Sequence, residues 1–317
     1  MRLAILDSAT LGSDISFESF RRFGEVAVYE RTAPDEVEDR IADCDVVILN
    51  KIKLGARNLS CAGSLKLICV TATGFDNIDT GYCRERGIAV CNVKGYSTDI
   101  VAQLTAAMAL SLVCRLSDYD SYVKDGSYTA SGVHNRLEPV FHELSGLTWG
   151  IAGYGAIGRR VAEIARVLGC NVLAFKREPV TDTECVPLDE LCRRSDILSL
   201  HLPLTETTRG ILDKRRIGLM KPGAVVINVS RGAVADEAAL ADAVKSGALG
   251  GLGIDVYSVE PIQPDNPLTA LFGMKNVVFT PHMAWGAYES RVRCMREVEL
   301  NIDSFLAGER RNRVDIW

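Results

Sequence analysis

The sequence predicts an α/β protein built from two doubly wound parallel sheets. Short apolar runs alternate with helical patterns along nearly the whole chain, which is typical of parallel βαβ units. A G-x-G-x-x-G run at residues 153–158 stands in the middle of the chain rather than at its start. The chain has 317 residues, of which 47% are apolar, and this length favours two domains over one.

The predicted elements follow in order. The first part has five apolar runs that predict strands, at 3–6, 26–29, 46–49, 67–70 and 88–91. A helix is predicted at 34–42, with Pro34 suited to its first turn, and a long helix from about 99 to 116 follows this part. The second part has predicted strands at 172–175, 197–200, 224–228, 253–256 and 277–280, helices at 188–194 and 237–246, and a last helix from about 287 to 305. The glycine-rich run 250–253 precedes a strand rather than a helix, so we interpret it as a tight turn.

The glycine run at 153–158 predicts a dinucleotide site. Residues 147–152 before it are strand-like, and residues 159–168 after it have helical apolar spacing. Gly153, Gly155 and Gly158 allow a tight turn, close approach to a pyrophosphate and close packing of the helix on the strand. The helix N-terminus then offers N–H groups and a positive dipole end to the phosphates.

Composition argues against several other classes of protein. The formal net charge of −5 disfavours a nucleic-acid partner, and no apolar run approaches the ~18 residues of a membrane span. The N-terminus predicts a strand rather than a signal peptide. The ten cysteines include no C-x-x-C pair, and the four histidines form no metal-type pair with a cysteine. We therefore expect a cytoplasmic protein with reduced cysteines, no metal, no membrane and no nucleic acid.

Polar residues follow several predicted strands, at the sheet edge where ligands of such folds bind. Arg231, Glu260 and His282 each come shortly after a strand, and Asp255 and Trp285 lie close to them in sequence. Singly, each has a structural explanation as a surface, turn or core residue. Together they fit reduction of a 2-keto acid by hydride transfer. An arginine binds the carboxylate, a histidine gives a proton to the carbonyl oxygen, and a glutamate favours the protonated imidazole.

On these residues the sequence resembles the D-isomer-specific 2-hydroxyacid dehydrogenases over nearly its whole length. The motifs that carry the resemblance are residues 72–79, 95–98 with 101–103, 153–158, 201–205 with Thr208, 228–232, 255–256, 260–261 and 281–282. Within the family, the Gly-Tyr-Ser-Thr run at 95–98, Gln103 and the His-x-Ala-Trp ending at 282–285 are most similar to glycerate dehydrogenases, also called hydroxypyruvate reductases.

The resemblance implies a Rossmann cofactor domain at 97–285 and a discontinuous flavodoxin-like substrate domain at 1–96 and 286–317. Arg231 would bind the substrate carboxylate and keto oxygen, and His282, paired with Glu260, would be the general acid or base. Backbone N–H groups of Thr73 and Gly74 would bind the carboxylate, and Trp285 would line the substrate pocket or pack as a core residue. The implied cofactor contacts are Thr98, Gly153, Tyr154, Gly155, Ala156, Ile157, Gly158, His201, Leu202, Pro203, Thr208, Val229, Ser230 and Asp255. The helix through residues 101–114 and the segment after it would form a homodimer contact.

One departure concerns the cofactor. An NAD(H) site of this kind has an acid roughly 20 residues past the glycine loop, which binds the ribose 2′-hydroxyl. Here the predicted strand 172–175 is followed by Lys176 and Arg177. Two cations suit a 2′-phosphate, so the sequence favours NADP(H), with NAD(H) as the alternative if both side chains are solvated.

Two other functions share parts of this pattern. The C-terminal binding protein corepressors have the same fold and the same arginine, glutamate and histidine, so a cofactor-sensing binding protein is an alternative. A phosphoglycerate dehydrogenase-like enzyme is a further one. The sequence leaves open which small 2-hydroxy acid is the substrate, the physiological direction and any regulation.

Overall fold

The computed structural model describes residues 1–178 and 180–316. It divides into two compact units, one formed by Met1–Ser97 with the chain from Gly286 onward, and one formed by Thr98–Trp285. Each unit is built on one parallel sheet, and the predicted α/β class with two doubly wound sheets is confirmed. The assignment of a substrate role to the first unit and a cofactor role to the second stays a prediction.

The first unit has a five-stranded sheet in the order β2-β1-β3-β4-β5, which is the flavodoxin-like order. Its strands are β1 (Arg2–Ile5), β2 (Glu25–Val28), β3 (Val46–Leu49), β4 (Leu67–Val70) and β5 (Ala89–Cys91). Its helices are α1 (Val37–Ile41), α2 (Ala56–Leu59), α3 (Thr80–Glu85) and the C-terminal helix Tyr288–Leu306, with 3-10 turns at Ser8–Leu11 and Glu18–Phe23. All residues of β3 and β4 are buried, as expected for central strands covered on both faces.

The prediction that Pro34 lies in the first turn of a helix is wrong. The helix α1 begins at Val37, and residues 33–36 form a separate turn in which the Glu36 carboxylate accepts a hydrogen bond from the Ala33 N–H at 2.7 Å. The same carboxylate pairs with Arg40 at 2.7 Å. Glu36 therefore closes the turn before the helix, and Pro34 belongs to that turn.

The second unit has a seven-stranded sheet in the order β12-β11-β10-β9-β6-β7-β8. Its strands are β6 (Thr148–Ala152), β7 (Asn171–Phe175), β8 (Glu184–Cys185), β9 (Ile197–Leu200), β10 (Ala224–Asn228), β11 (Leu249–Ile254) and β12 (Val277–Phe279). Strand β6 pairs with both β7 and β9, so the chain turns back at this point. This is the topological switch point at which doubly wound sheets bind dinucleotides.

The helices of this unit are α4 (Thr98–Val113), α5 (Leu116–Lys124), α6 (Ser127–Ser131), α7 (Ala156–Val167), α8 (Leu188–Arg194), α9 (Lys214–Ile217) and α10 (Glu237–Lys245), with 3-10 turns at Gly232–Val234 and Pro267–Leu271. Of these helices, the sequence did not predict α5, α6 and α9. The long helix predicted to reach residue 116 ends at Val113, because Arg115 is left-handed with φ 55°. No residue of α5 or α6 is buried.

The interpretation of residues 250–253 as a turn is wrong, since they lie inside β11. The glycines are there because the strand is closely packed. A Cβ on Gly250 would lie 2.3 Å from the Gly223 carbonyl oxygen, and one on Gly251 would lie 3.3 Å from the Leu112 side chain of α4. The strand therefore begins and ends earlier than the predicted 253–256.

The remaining strand boundaries differ from prediction by at most one residue at each end, apart from the two-residue strand β8, which lacks an apolar pattern. In the part of the chain that the structure describes, no single helix is long and apolar enough to cross a membrane. The bent pair α4 and α5, at 63°, meets the test of length and composition only when taken together.

Candidate active site

The loop that carries Arg231 follows β10 and is held by Asn228, which is 1% exposed. The Asn228 amide donates to the Arg231 carbonyl at 2.9 Å, and its oxygen accepts from the Ser230 N–H at 3.1 Å and hydroxyl at 2.9 Å. The Arg231 guanidinium donates to the Ser230 carbonyl at 2.8 Å. The sequence thus places Arg231 at the carboxyl edge of the sheet on a loop with little freedom.

The turn that carries His282 is built around Asp255, which follows β11 and is 1% exposed. Its carboxylate accepts from the Met283 N–H at 2.9 Å, the Ala284 N–H at 3.0 Å and the Thr280 hydroxyl at 2.6 Å. Its carbonyl accepts from the His282 N–H at 2.7 Å. Burial raises the pKa of the Asp255 carboxyl, against the opposing effect of these hydrogen bonds and of His282.

His282 itself has a left-handed backbone with φ 52°, which is uncommon outside glycine. The hydrogen bonds to Asp255 fix this conformation. The His282 ring nitrogen Nδ1 lies 2.6 Å from Glu260 Oε2, and the two side chains are 20% and 31% exposed. The other Glu260 oxygen accepts from the Tyr257 N–H at 3.2 Å. A carboxylate that contacts Nδ1 fixes the orientation of the ring.

The three predicted catalytic residues therefore belong to the ends of three adjacent strands. Arg231 follows β10, Glu260 follows β11 and His282 follows β12, and the sheet order is β12-β11-β10. The structure brings Glu260 and His282 into direct contact. The Arg231 loop packs on the Glu260 loop, since a Cβ on Gly232 would lie 1.9 Å from the Tyr257 carbonyl carbon.

The glycine loop lies at the β6–α7 junction, at the switch point of the sheet. A Cβ on Gly153, where φ is 101°, would lie 2.6 Å from the His201 carbonyl group. A Cβ on Gly158 would lie 2.2 Å from the Gly153 carbonyl oxygen, whereas a Cβ on Gly155 would meet nothing within 4 Å. Gly155 is also the N-cap of α7 and offers no side chain to its N–H groups. The loop thus combines tight packing with an open approach to a helix N-terminus, which fits a dinucleotide phosphate. Ala156 and Ile157 form the first turn of α7.

Lys176 and Arg177 follow β7 directly, as the sequence predicted. The acid Asp182, further along the same loop, forms an ion pair with Arg159 of α7. Tyr154 of the glycine run is 2% exposed, and its hydroxyl lies 3.0 Å from the Thr183 hydroxyl. Arg166 binds the Asp182 carbonyl at 3.0 Å. The far end of this loop is therefore tied to α7, and Asp182 already has a cation partner.

His201 follows β9 and ends a hydrogen-bond chain that begins at the buried Trp149. The Trp149 indole donates to the Ser199 hydroxyl at 3.0 Å, and His201 Nε2 lies 3.0 Å from the same hydroxyl. The other ring nitrogen, Nδ1, is buried without a hydrogen-bond partner, and burial lowers the pKa of His201 to about 3. The structure keeps this imidazole neutral.

Several other predicted contact residues have structural roles. Thr208 closes the loop after β9 by donating to the Pro203 carbonyl at 2.6 Å, and Leu202 and Val229 belong to the apolar core. The Trp285 indole donates to the His282 carbonyl at 3.0 Å. Thr98 is the first residue of α4. Their predicted contacts with cofactor or substrate stay predictions.

Thr73 and Gly74 lie in the first unit, in the turn after β4. The Thr73 carbonyl accepts from the buried Asn92 amide at 2.7 Å, and the Thr73 hydroxyl donates to the Val93 carbonyl at 2.9 Å. These bonds fix the turn whose N–H groups are predicted to bind a carboxylate.

Sequence reasoning missed the residues that support the candidate catalytic ones. Glu237 at the start of α10 accepts from the Ser258 N–H at 2.7 Å and hydroxyl at 2.6 Å, and so holds the loop that carries Glu260. Thr280 and Tyr257 support the His282 turn. Only their positions next to strand ends could have drawn attention to them. Across residues 1–178 and 180–316, no cluster of three or more His, Cys, Asp or Glu is arranged to hold a metal ion.

Comparisons with known proteins show which family this chain is similar to. Residues 106–284 match the family model described as D-isomer specific 2-hydroxyacid dehydrogenase, NAD binding domain. The chain is 36% identical to a hydroxypyruvate reductase of Blautia hydrogenotrophica, over 99% of this chain and 100% of the relative.

Two solved structures are similar over the whole chain. One is a D-lactate dehydrogenase from Aquifex aeolicus complexed with NAD and lactic acid, with 31% identity, a TM-score of 0.85, and coverage of 98% of this chain and 96% of that one. The other is an acyclic imino acid reductase in complex with NADPH and D-Arg, with 29% identity, a TM-score of 0.88, and coverage of 99% and 100%.

Proposed function

Because the chain belongs to the D-isomer-specific 2-hydroxyacid dehydrogenases, a family of oxidoreductases, we propose that it reduces a small 2-keto acid to the D-2-hydroxy acid, with a preference for NADP(H). The proposed substrate is hydroxypyruvate or glyoxylate. The observation that carries the proposal is the 2.6 Å contact between His282 Nδ1 and Glu260 Oε2, at the sheet edge where Arg231 follows the neighbouring strand. Family relatives that act on hydroxypyruvate support the choice of substrate.

The proposed roles follow from the chemistry of each side chain. When bound, the nicotinamide cofactor supplies the hydride that is added to C2 of the keto acid. Arg231 binds the substrate carboxylate and orients the keto oxygen. Glu260 binds Nδ1 of His282, so the proton for the keto oxygen comes from Nε2. The keto oxygen gains a proton as C2 gains a hydride. The imidazole is left neutral, with a proton on Nδ1 that is hydrogen-bonded to Glu260.

The packing of the glycine loop leaves room for a dinucleotide. The open space over Gly155 and the uncapped start of α7 suit a pyrophosphate. Lys176 and Arg177 follow β7, where the ribose of a dinucleotide would lie, and two cations there suit a 2′-phosphate.

The cofactor preference is tested by replacing both cations. We expect wild-type protein to have a higher kcat/KM with NADPH than with NADH. In the Lys176→Ala/Arg177→Ala variant, the ratio of kcat/KM with NADPH to kcat/KM with NADH should fall by about 10-fold or more, which is the value of a charge-assisted phosphate contact. Lys245→Ala at the end of α10 is the matched control and leaves the ratio unchanged. A clear NADH preference of the wild-type protein contradicts the proposed cofactor.

The substrate is tested by following nicotinamide absorbance with hydroxypyruvate, glyoxylate, pyruvate, longer 2-keto acids and 3-phosphohydroxypyruvate. We expect the highest kcat/KM with hydroxypyruvate or glyoxylate. A preference for the phosphorylated acid favours a phosphoglycerate dehydrogenase-like activity. Cofactor binding without turnover of any acid contradicts the proposed reaction and favours a cofactor-sensing protein.

We also propose that the protein is a homodimer joined through α4 and the segment after it. Ala107 and Gln103 are exposed on α4 beside partly buried Leu110, and α5 has exposed apolar residues at Leu116 and Val123 but no buried ones. Light scattering should give twice the monomer mass, and Ala107→Arg should shift the protein towards monomer. A monomeric wild-type protein contradicts this proposal.

A further inference from the structure

We infer that Tyr257 is a positioning residue for the proposed reaction. Tyr257 joins the Glu260 loop to the His282 turn and to the Arg231 loop. The inference rests on the proposed function. Tyr257 lies three residues before Glu260, and neither its main chain nor its side chain belongs to the candidate catalytic set. Its contacts nevertheless reach all three of the loops that carry that set.

The first contact orients Glu260. The Tyr257 N–H donates to Glu260 Oε1 at 3.2 Å, while Oε2 of the same carboxylate binds His282 Nδ1 at 2.6 Å. Each carboxylate oxygen thus has its own partner on one side. Rotation of the carboxylate away from His282 would break the hydrogen bond to Tyr257 as well.

The second contact fixes the His282 turn. The Tyr257 hydroxyl donates to the Thr280 carbonyl at 3.0 Å. The same carbonyl accepts from the His282 N–H at 3.1 Å. The hydroxyl therefore restrains a peptide group that is itself hydrogen-bonded to the His282 main chain.

The third contact is with the Arg231 loop, through the main chain alone. A Cβ on Gly232 would lie 1.9 Å from the Tyr257 carbonyl carbon and 2.2 Å from the Ser258 nitrogen. Only glycine allows this approach. Because the contact uses backbone atoms, it survives a change of the Tyr257 side chain.

The ring of Tyr257 is held in place by its own neighbours. It stacks on Phe279 of β12, with centroids 6.5 Å apart and planes at 30°, and Phe279 also meets Phe272 edge-on at 5.3 Å. Burial raises the pKa of Tyr257 to about 12, and the nearby acids Asp255, Glu260 and Glu237 act in the same direction. The hydroxyl accordingly stays protonated and remains a donor at any ordinary assay pH.

These contacts make a specific expectation for Tyr257→Phe. The ring, the backbone contact with Gly232 and the N–H bond to Glu260 remain, and only the bond to the Thr280 carbonyl is lost. We expect kcat to fall about 3- to 10-fold, the value of one neutral hydrogen bond, with the keto-acid KM and the cofactor Kd within about twofold of wild type. Tyr82→Phe is the control, because Tyr82 lies on α3 of the first unit and its hydroxyl accepts a hydrogen bond from Arg86.

A double-mutant cycle separates positioning from general destabilisation. In the His282→Asn background the proton donor is absent, so Tyr257→Phe should change the residual kcat by less than about twofold. An equal loss of kcat in both backgrounds, or a kcat of Tyr257→Phe within twofold of wild type, overturns the inference. A wild-type protein that reduces no 2-keto acid is a different result, because it overturns the proposed function first.

Discussion

The two sheets use the same device at their carboxyl edges, with different consequences. Asp7 in the first unit and Asp255 in the second are 3% and 1% exposed, and each carboxylate accepts hydrogen bonds from consecutive N–H groups of a neighbouring turn. Asp7 binds the Asn50 N–H at 2.9 Å and the Lys51 N–H at 2.6 Å. Burial raises the pKa of both carboxyls, and the backbone hydrogen bonds oppose this effect.

The difference lies in what the held turn carries. The turn bound by Asp255 presents His282, whose ring meets a second acid, Glu260, with a side chain that is 31% exposed. A fully buried acid bound by N–H groups holds the backbone in place. A partly exposed acid beside an imidazole can form an ion pair when the imidazole carries a charge. Burial alone therefore does not mark a catalytic acid, because the group that the acid contacts decides its role.

The largest expected effect comes from replacing the proposed proton donor, His282, at the carboxyl edge of the second sheet. Asparagine tolerates the left-handed backbone of His282, so His282→Asn keeps the turn and removes the acid. We expect kcat to fall by about 10²- to 10⁴-fold, the usual contribution of a general acid, while the cofactor Kd stays within about twofold. His282→Ala should lose as much activity and some stability in addition.

The measurement is steady-state kinetics with cofactor titration by fluorescence. A His282→Asn variant with near-normal kcat shows that the proton comes from elsewhere, and that the two edges differ less than we propose.

Matched substitutions of the two buried acids test the difference between the two sheet edges. In Asp255→Asn and Asp7→Asn, an amide group replaces one carboxylate oxygen and faces a main-chain N–H that needs an acceptor. Each variant should lose about 2–3 kcal/mol of stability, since the lost hydrogen bonds are to a charged group and are buried. Only Asp255→Asn should also lower kcat, by about 10-fold, because only its turn carries His282.

Thermal unfolding and kcat of the two variants check this expectation. If Asp7→Asn lowers kcat as much as Asp255→Asn does, the first edge contributes to the chemistry as directly as the second.

Sequence reasoning found the strands and their carboxyl-end residues for the same physical reason. Apolar runs mark buried strands, and polar residues that follow them lie at the carboxyl edge of the sheet. Arg231, Glu260 and His282 could therefore be predicted from their positions in the sequence. Strand β11 was misplaced because its glycines report close packing against Gly223 and α4, which the local pattern does not contain.

The supporting contacts were out of reach for a related reason. Asp255 binds residues 28 and 29 positions away, and Tyr257 binds one 23 positions away. Such partners depend on the order of strands in the sheet. Their side chains have ordinary types, so nothing in the sequence distinguishes them from other strand-end residues.

The smallest expected effect concerns His201, a half-buried base whose ring atom Nδ1 is shielded from solvent. The pKa of His201 is lowered by burial to about 3, well below the value of about 6.5 expected in the unfolded chain. As pH falls, the unfolded state therefore takes up a proton first. The stability contributed by the neutral imidazole is complete above about pH 6.5 and is lost progressively down to about pH 3.

Between pH 7 and pH 5 wild-type protein should lose about 1–2 kcal/mol more stability than His201→Gln, whose side chain has no such titration. Denaturant unfolding of both proteins at the two pH values measures the difference. Equal losses would mean that His201 takes up its proton as readily in the folded protein as in the unfolded chain.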